Sequence, residues 1–150
     1  MMTKTFLCAE ESDMQALGFR FASAMEAPVF AAMHGDLGAG KTAFVRGMGE
    51  FLDISDITSP TFTIVQEYDT EPRLLHFDAY RLADEDELYA MGFEDYLAEK
   101  AFLVMEWAEL VADALPDERF EITIRGSGCE VRGVEISALG ARYERMLENL

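Results

Sequence analysis

The sequence predicts an α/β fold in which helices flank a mixed central sheet. Apolar runs of strand length alternate with amphipathic segments over the first two thirds of the chain, a pattern typical of parallel strands with helical crossovers. Two strand-like segments then follow each other directly across a short glycine-containing connection, which indicates an antiparallel hairpin. With 150 residues and no linker or repeat, residues 1–150 are expected to form one domain.

The composition excludes some classes of protein. Half of the residues are apolar, so an intrinsically disordered chain is not expected. The 29 acidic and 12 basic residues give a net charge of -17, which disfavours direct binding to nucleic acid or anionic lipid. No secretory signal or membrane-spanning run is visible, which predicts a cytoplasmic protein without a membrane partner. Cys8 and Cys129 lack the spacing of a zinc site or a disulfide framework and are expected to be small buried residues.

The first elements are predicted from the period of their apolar residues. Ser12 can cap a helix whose apolar stripe has a period near 3.6 residues and which ends before Pro28. Residues 29–33 are continuously apolar, as expected for a parallel strand covered on both faces. After a glycine-rich turn, the apolar positions over 44–52 predict a second amphipathic helix.

A loop over residues 58–60 separates that helix from the next strands. Alternation and β-forming residues predict a strand over 62–68, and a further strand covers 74–77. Two short helical segments, divided at Gly92, then lead to a strongly apolar strand over 102–105.

The last third predicts a helix, a hairpin and a terminal helix. Residues 108–115 can be helical as far as Pro116. The strands over 119–125 and 130–137 form the predicted hairpin, and the apolar stripe over 139–150 predicts the final helix.

One segment carries a specific chemical signal. It matches G-x-x-x-x-G-K-[ST] at every fixed position and lies between a predicted strand and a predicted helix, the context of a phosphate-binding loop. Glycines allow successive backbone N–H groups to surround phosphate oxygens, and the helix that follows adds the positive end of its dipole. The fold is therefore predicted to be that of a P-loop NTPase. The expected binding residues are Gly35, Asp36, Leu37, Gly38, Ala39, Gly40, Lys41 and Thr42.

The side chains of this loop suit a nucleoside triphosphate and Mg²⁺. Lys41 can place a charge between the β- and γ-phosphates, and the hydroxyl of Thr42 is a hard oxygen ligand for Mg²⁺. Without nucleotide, the Lys41 ammonium is expected to need no buried partner. The glycine spacing differs from the dinucleotide fingerprint, and no N-K-x-D guanine signature is present, which favours ATP.

Two acids follow apolar runs at the ends of predicted strands: Asp78 and Glu106. Open α/β sheets bind ligands at the carboxyl ends of their strands, and P-loop enzymes carry an acid there that orients Mg²⁺. Either residue is a candidate for that acid, and the residue pattern does not divide the roles between them.

Other polar residues near the predicted site have weaker signals. Ser59 and Thr61 lie in a loop where related NTPases place a hydroxyl that meets Mg²⁺ or the γ-phosphate, although this segment by itself favours a simple turn. Both histidines, His34 and His76, are expected to be packed or solvated rather than to be ligands. Arg81 is the only arginine expected near the site, where it could touch a phosphate or pair with an acid.

Four separate segments together carry a family resemblance. They are the loop 35–42, Ser59-Pro60-Thr61-Phe62, His76-Phe77-Asp78-Ala79-Tyr80-Arg81-Leu82 and Glu106-Trp107. In this order and spacing they resemble the TsaE family, also called YjeE, bacterial ATPases of tRNA threonylcarbamoyladenosine (t6A) synthesis. The resemblance spans nearly the whole chain. It implies slow, Mg²⁺-dependent ATP hydrolysis that supports a complex of the proteins TsaD and TsaB, with tRNA reached only indirectly.

The resemblance also implies roles for individual residues. Thr42 and Glu106 would take part in the Mg²⁺ site, and Trp107 would lie close to the nucleotide. Asp78 would act near the γ-phosphate or its attacking water. The implied catalytic residues are Asp78, Lys41 and Thr61.

The sequence is also compatible with two other functions. A small-molecule kinase could use the same loop for phosphoryl transfer, although no arginine-rich lid is evident. A nucleotide-dependent interaction protein could use the bound state, rather than hydrolysis, as its signal.

Overall fold

The structure, a computed structural model, describes residues 1–36 and 38–150. Its strands are β1 (Met2–Cys8), β2 (Val29–His34), β3 (Val65–Tyr68), β4 (Arg73–Asp78), β5 (Ala101–Glu106), β6 (Arg119–Arg125) and β7 (Arg132–Leu139). Its α-helices are α1 (Glu11–Ala24), α2 (Lys41–Phe51), α3 (Glu85–Ala90), α4 (Phe93–Leu97) and α5 (Ala141–Glu148), and a 3₁₀ helix covers Ala108–Ala114.

The strands form one mixed sheet in the order β1-β7-β6-β2-β5-β4-β3. The central strand β2 runs parallel to both β5 and β6, and β4 runs parallel to β5. The pairs β1–β7, β6–β7 and β3–β4 are antiparallel. The predicted α/β fold with a mixed central sheet is confirmed.

Alternate residues of β2 enter the two hydrophobic cores on opposite faces of the sheet. Ala31 and Met33 belong to the core covered by α1, α2 and α5, whereas Phe30 and Ala32 belong to the core covered by α3, α4 and the 3₁₀ helix. This double coverage explains why residues 29–33 are continuously apolar, as a buried parallel strand requires.

Helices α1 and α2 cross at a pair of glycines. A Cβ atom built on Gly18 would lie 2.0 Å from the carbonyl oxygen of Phe44, and one on Gly47 would lie 1.9 Å from that of Gln15. Because neither glycine has a side chain, the two backbones approach closely enough for α1 to support α2, the helix that follows the glycine-rich loop at residues 35–40.

Helix α1 begins at Glu11, so the predicted cap at Ser12 is wrong. Glu10 precedes the helix, and its backbone N–H donates to Oδ2 of Asp13 over 2.9 Å. Asp13 satisfies this amide and also places a negative charge at the helix N-terminus, where the dipole favours it. Ser12 lies within the first turn.

The strand predicted over 62–68 begins later, at Val65. The backbone N–H groups of Thr63 and Ile64 donate to the carbonyl oxygen of Pro60 over 3.1 and 2.7 Å, which closes a turn. Ile64 has a positive φ of 69°, and no strand residue adopts that conformation. The first part of this segment is therefore a loop beside the site.

The hairpin of β6 and β7 is antiparallel as predicted, but β7 begins at Arg132 instead of residue 130. The connecting loop consequently covers residues 126–131. Cys129 lies in it and is exposed, contrary to the expectation that both cysteines are buried, whereas Cys8 is buried. In the part of the chain that is described, no helix is both long and apolar enough to span a bilayer.

Candidate functional site

The predicted functional residues converge where β2, β4 and β5 end. Asp78 is the last residue of β4 and Glu106 the last of β5, and the two are partners in the parallel register. Met33 of β2 also pairs with Glu106, so the loop that follows β2 leaves the sheet beside Glu106, with Asp78 on the next strand.

A cavity of about 540 Å³ lies at this edge of the sheet. The predicted site residues among its lining are Gly38, Ala39, Gly40, Lys41, Thr42, Thr61, Asp78, Glu106 and Trp107. Gly35 and Asp36 are described but stand outside this lining, and Leu37 lies outside the described residues. Within the described chain, the structure thus brings together the predicted catalytic and metal residues.

Two glycines of the loop have backbone conformations that favour glycine. Gly38 has φ 80° and Gly40 has φ 111°, both in the range that other residues rarely adopt. Gly40 directly precedes α2, so the turn aims the N-terminus of this 11-residue helix at the cavity. Free backbone N–H groups and the helix dipole make this end of the cavity a favourable place for an anion.

Lys41 is buried, which differs from the expectation that its ammonium needs no buried partner. The residue is only 6% exposed, and Nζ donates to the carbonyl oxygen of Gly35 over 2.7 Å. Nζ also lies 4.2 Å from the centre of the Trp107 ring, as a cation–π contact. The backbone of Trp107 is left-handed, with φ 59°, and this turn after β5 brings its ring to the lysine.

Asp78 is buried and is held by two donors. The backbone N–H of Tyr80 donates to Oδ1 over 2.9 Å, and the hydroxyl of Thr61 donates to Oδ2 over 3.1 Å. The hydroxyl groups of Ser59 and Thr61 are themselves 2.8 Å apart. The loop that precedes β3 is therefore linked to the acid at the end of β4.

The carboxylate of Glu106 is held by a buried histidine. Its side chain is buried, and its Oε2 lies 2.6 Å from Nε2 of His76, which is fully buried. His76 is therefore packed, as expected, but it also makes a direct polar contact with a predicted metal ligand.

The residues present fit a magnesium ion that is held partly by nucleotide. Among residues 1–36 and 38–150, no group of three or more His, Cys, Asp or Glu side chains could hold a metal by itself. Mg²⁺ in nucleotide sites usually takes one or two protein oxygens, with phosphates and water completing its octahedron. The hydroxyl of Thr42 and the carboxylate of Glu106 line the same cavity and supply such oxygens.

The TsaE family model, described as threonylcarbamoyl adenosine biosynthesis protein TsaE, matches residues 8–134. The chain belongs to the TsaE family. A Bacillus subtilis protein named tRNA threonylcarbamoyladenosine biosynthesis protein TsaE is 43% identical over 120 residues, covering 79% of this chain and 75% of the relative. A Streptomyces coelicolor protein of the same name is 37% identical over 139 residues, covering 87% and 93%.

The fold agrees with this membership. A crystal structure of Bacillus subtilis YdiB matches with a TM-score of 0.85 and 32% identity, covering 98% of this chain and 93% of that one. The fold of this TsaE chain is therefore that of a P-loop NTPase, as predicted.

The arginines of this TsaE chain are not where the sequence suggested. Arg81 is exposed and stacks over the Phe62 ring, 4.6 Å from its centre, and it forms no ion pair with an acid among the described residues. Arg46 and Arg132 line the cavity instead, so the expectation that Arg81 alone is close to the site is wrong. No local pattern marks Arg132, because its contacts to the loop after β2 join residues more than 90 positions apart.

Arg132 links the β6–β7 loop to the glycine-rich loop that precedes α2. Its Nε donates to the carbonyl oxygen of Ala39 over 3.1 Å, and its Nη2 donates to those of Gly38 and Gly128 over 3.4 and 3.0 Å. These donors are directed at carbonyl groups, which carry no net charge, so the guanidinium adds a positive charge near the N-terminus of α2.

His34 fixes the strand end from which the loop departs. Its Nδ1 lies 2.8 Å from Glu109 and its Nε2 lies 2.6 Å from Glu121. The hydrogen bond to Glu121 raises the pKa of His34 above its usual value, against partial burial, and the bond to Glu109 adds to this rise. Partial burial favours a neutral Glu121, but its hydrogen bonds from His34 and Arg119 outweigh burial and lower its pKa.

Proposed function

We propose that this TsaE family member binds ATP with Mg²⁺ in the cavity at the ends of β2, β4 and β5 and hydrolyses it slowly. The single observation that carries the proposal is the convergence of Lys41, Thr61, Asp78 and Glu106 on that cavity. These residues come from four separate stretches of the chain, and each supplies a function that phosphoryl transfer needs.

The proposed phosphate position is the N-terminus of α2. The chain as a whole repels anions, with a net charge of -17, yet the described cations Lys41 and Arg132 both lie at this end of the cavity. A volume of about 540 Å³ is also within the usual range of small-molecule sites. Phosphates would draw Lys41 away from Gly35 and Trp107, because a phosphate is a stronger partner than a carbonyl group or an aromatic ring.

The proposed metal ligands are the hydroxyl of Thr42 and the carboxylate of Glu106. Magnesium held there would neutralise charge on the β- and γ-phosphates. Two carboxylates that end neighbouring strands in register repel each other, and a divalent cation between protein and phosphate would relieve that repulsion.

Asp78 is proposed to orient the attacking water. Its carboxylate is fixed at both oxygens by Tyr80 and Thr61, so little reorganisation would be needed when the nucleotide arrives. The hydrogen bond from Thr61 would also report the state of the site to the loop of residues 58–64, which gives the protein a segment whose position can depend on the nucleotide.

The proposed cellular role follows from the names of the relatives, which assign those proteins to tRNA threonylcarbamoyladenosine biosynthesis. We propose that this chain serves t6A synthesis in the cytoplasm as the ATPase that supports a TsaD–TsaB complex. The acidic surface favours contact with tRNA only through that complex, because a charge of -17 repels the phosphate backbone.

The test combines nucleotide binding with hydrolysis. Calorimetry should detect ATP binding that weakens in EDTA, and the hydrolysis rate should rise when TsaD and TsaB are added. Asp78→Asn should lower the hydrolysis rate by about 100-fold or more while ATP affinity changes little, because the change removes a positioned carboxylate and not a phosphate contact. Asp84→Asn is the matched control, since Asp84 is exposed, caps α3 and lies outside the cavity.

Each outcome bears on a separate part of the proposal. Absence of ATP binding to the wild-type protein contradicts the site. Hydrolysis that is equal with and without TsaD and TsaB contradicts the coupling. If Asp78→Asn abolishes hydrolysis but t6A formation continues, the bound state and not hydrolysis is the signal.

A further inference from the structure

His76 is a buried polar residue that the proposed chemistry does not use. It lies on β4 two positions before Asp78, with its side chain fully buried. Leu74, which lies on the same face of β4, and Val104, the register partner of His76 on β5, are also fully buried. An imidazole in such apolar surroundings loses its hydration and needs a compensating contact.

Glu106 provides the only side-chain hydrogen bond of His76 within the described chain. Nε2 of His76 lies 2.6 Å from Oε2 of Glu106, whereas Nδ1 has no partner among the described residues. Because a carboxylate can only accept, Nε2 must carry the hydrogen. Among the described residues, the only polar contact of the His76 side chain is therefore with one oxygen of Glu106.

We propose that His76 is a positioning residue that fixes the Glu106 carboxylate for Mg²⁺. This inference rests on the proposed function, in which Glu106 is a metal ligand. The hydrogen bond restrains Oε2 and so limits rotation of the carboxylate about its terminal bond. It does not occupy Oε1, so the carboxylate keeps one oxygen for the metal. The side chain of Glu106 is additionally anchored at its base, since its backbone carbonyl oxygen accepts from Ala79 over 3.0 Å.

Removal of the Nε2 donor is expected to weaken Mg²⁺ binding specifically. Residues that hold a metal ligand in place typically contribute about tenfold or more to metal affinity. His76→Leu should therefore raise the Mg²⁺ concentration at half-saturation about tenfold. ATP affinity measured in EDTA should stay the same, since His76 is not among the residues that line the cavity.

Two matched variants separate positioning from packing. Glutamine places its amide nitrogen as many bonds from the backbone as Nε2 of histidine, so His76→Gln can keep the hydrogen bond. Asparagine places its amide at the position of Nδ1 and cannot reach Glu106. His76→Gln should restore most of the Mg²⁺ affinity, and His76→Asn should not, although both introduce an amide into the same buried position.

The measurement is calorimetric titration with Mg²⁺ and a non-hydrolysable ATP analogue, repeated in a Glu106→Gln background. If His76 acts through Glu106, the tenfold effect of His76→Leu disappears in that background. Because His76→Leu can also affect folding, ¹⁵N spectroscopy of the wild-type protein supplies an independent test. The spectrum should show hydrogen on Nε2 and a change in its ¹⁵N shift when Mg²⁺ and the analogue bind.

Four results would overturn the inference. They are equal Mg²⁺ half-saturation for the wild type and His76→Leu, equal behaviour of the glutamine and asparagine variants, an undiminished effect in the Glu106→Gln background, and a histidine that carries hydrogen on Nδ1 alone. If the wild-type protein binds the analogue equally well without Mg²⁺, the proposed metal site fails and this inference fails with it. Normal Mg²⁺ dependence in the wild type combined with any of the four results leaves the proposed function intact.

Discussion

Substitution of Gly47 by alanine tests how closely α1 packs against α2, the helix that follows the glycine-rich loop. The Cβ atom of alanine would lie 1.9 Å from the carbonyl oxygen of Gln15 and 2.9 Å from the backbone nitrogen of Phe19. Both contacts are with backbone atoms of α1, so no side-chain rotation can relieve them. The two helices must move apart instead.

The size of the effect follows from the overlap. Ordinary contact begins near 3.4 Å, so the local separation of the helices must increase by about 1.5 Å. A gap of about 1 Å already removes up to half of the dispersion energy of a contact, and the cost of overpacking reaches about 3 kcal/mol. Alanine is a better helix former than glycine by about 1 kcal/mol, which offsets part of this cost. A net loss of about 2 kcal/mol is expected.

Urea denaturation and thermal unfolding measure this loss. For a chain of this size, a 2 kcal/mol destabilisation should lower Tm by about 4–8 °C. Gly133→Ala is the matched control, because a Cβ atom there has no atom within 4 Å, and its stability should change by less than about 0.5 kcal/mol. Wild-type or higher stability of the Gly47 variant would refute the close approach of the two helices.

Three further predictions concern side chains around the site. Lys41 contacts Trp107, the only tryptophan, so ATP with Mg²⁺ should change the intrinsic fluorescence of the wild-type protein. Lys41→Met should weaken ATP affinity by about 10- to 100-fold, and an unchanged affinity would contradict a contact between Lys41 and phosphate. Arg132→Lys should lower the free energy of unfolding in urea by about 1 kcal/mol, because one ammonium cannot reach several carbonyl groups at once. A variant with the urea midpoint of the wild type would contradict a stabilising role for these hydrogen bonds. His34 has a raised pKa, so its bond to Glu121 stabilises the fold fully below about pH 6.5 and this stabilisation is lost as the pH rises through the raised pKa. The urea midpoint of His34→Gln should accordingly fall below that of the wild type at pH 6 and approach it at pH 9, whereas a constant difference would exclude linkage to His34.

The strongest sequence signals were those with a local physical cause. The continuous apolar run at 29–33 predicted a buried parallel strand. The structure confirms it, because the side chains on both faces of the strand are buried in a hydrophobic core. Predictions from weaker sequence patterns failed where contacts between distant parts of the chain decide the structure. Strand β1 was not predicted, since an edge strand with alternating exposure has an indistinct pattern and acquires its partner, β7, from the other end of the chain.

The amino-acid sequence alone predicted the α/β class, the loop at residues 35–42 and the two acids at the strand ends, because each prediction depends on a short run of residues with a fixed chemistry. The tertiary structure decided how those residues meet. It alone placed Asp78 and Glu106 in register, buried Lys41 against Trp107 and brought Arg132 to the loop, since these contacts join residues far apart in the chain. It also showed that His76, which the sequence predicts only to be packed or solvated, makes a hydrogen bond with Glu106. Hydrogen bonds between strands and loops depend on distances that no local pattern encodes, and those distances fix the geometry of the site.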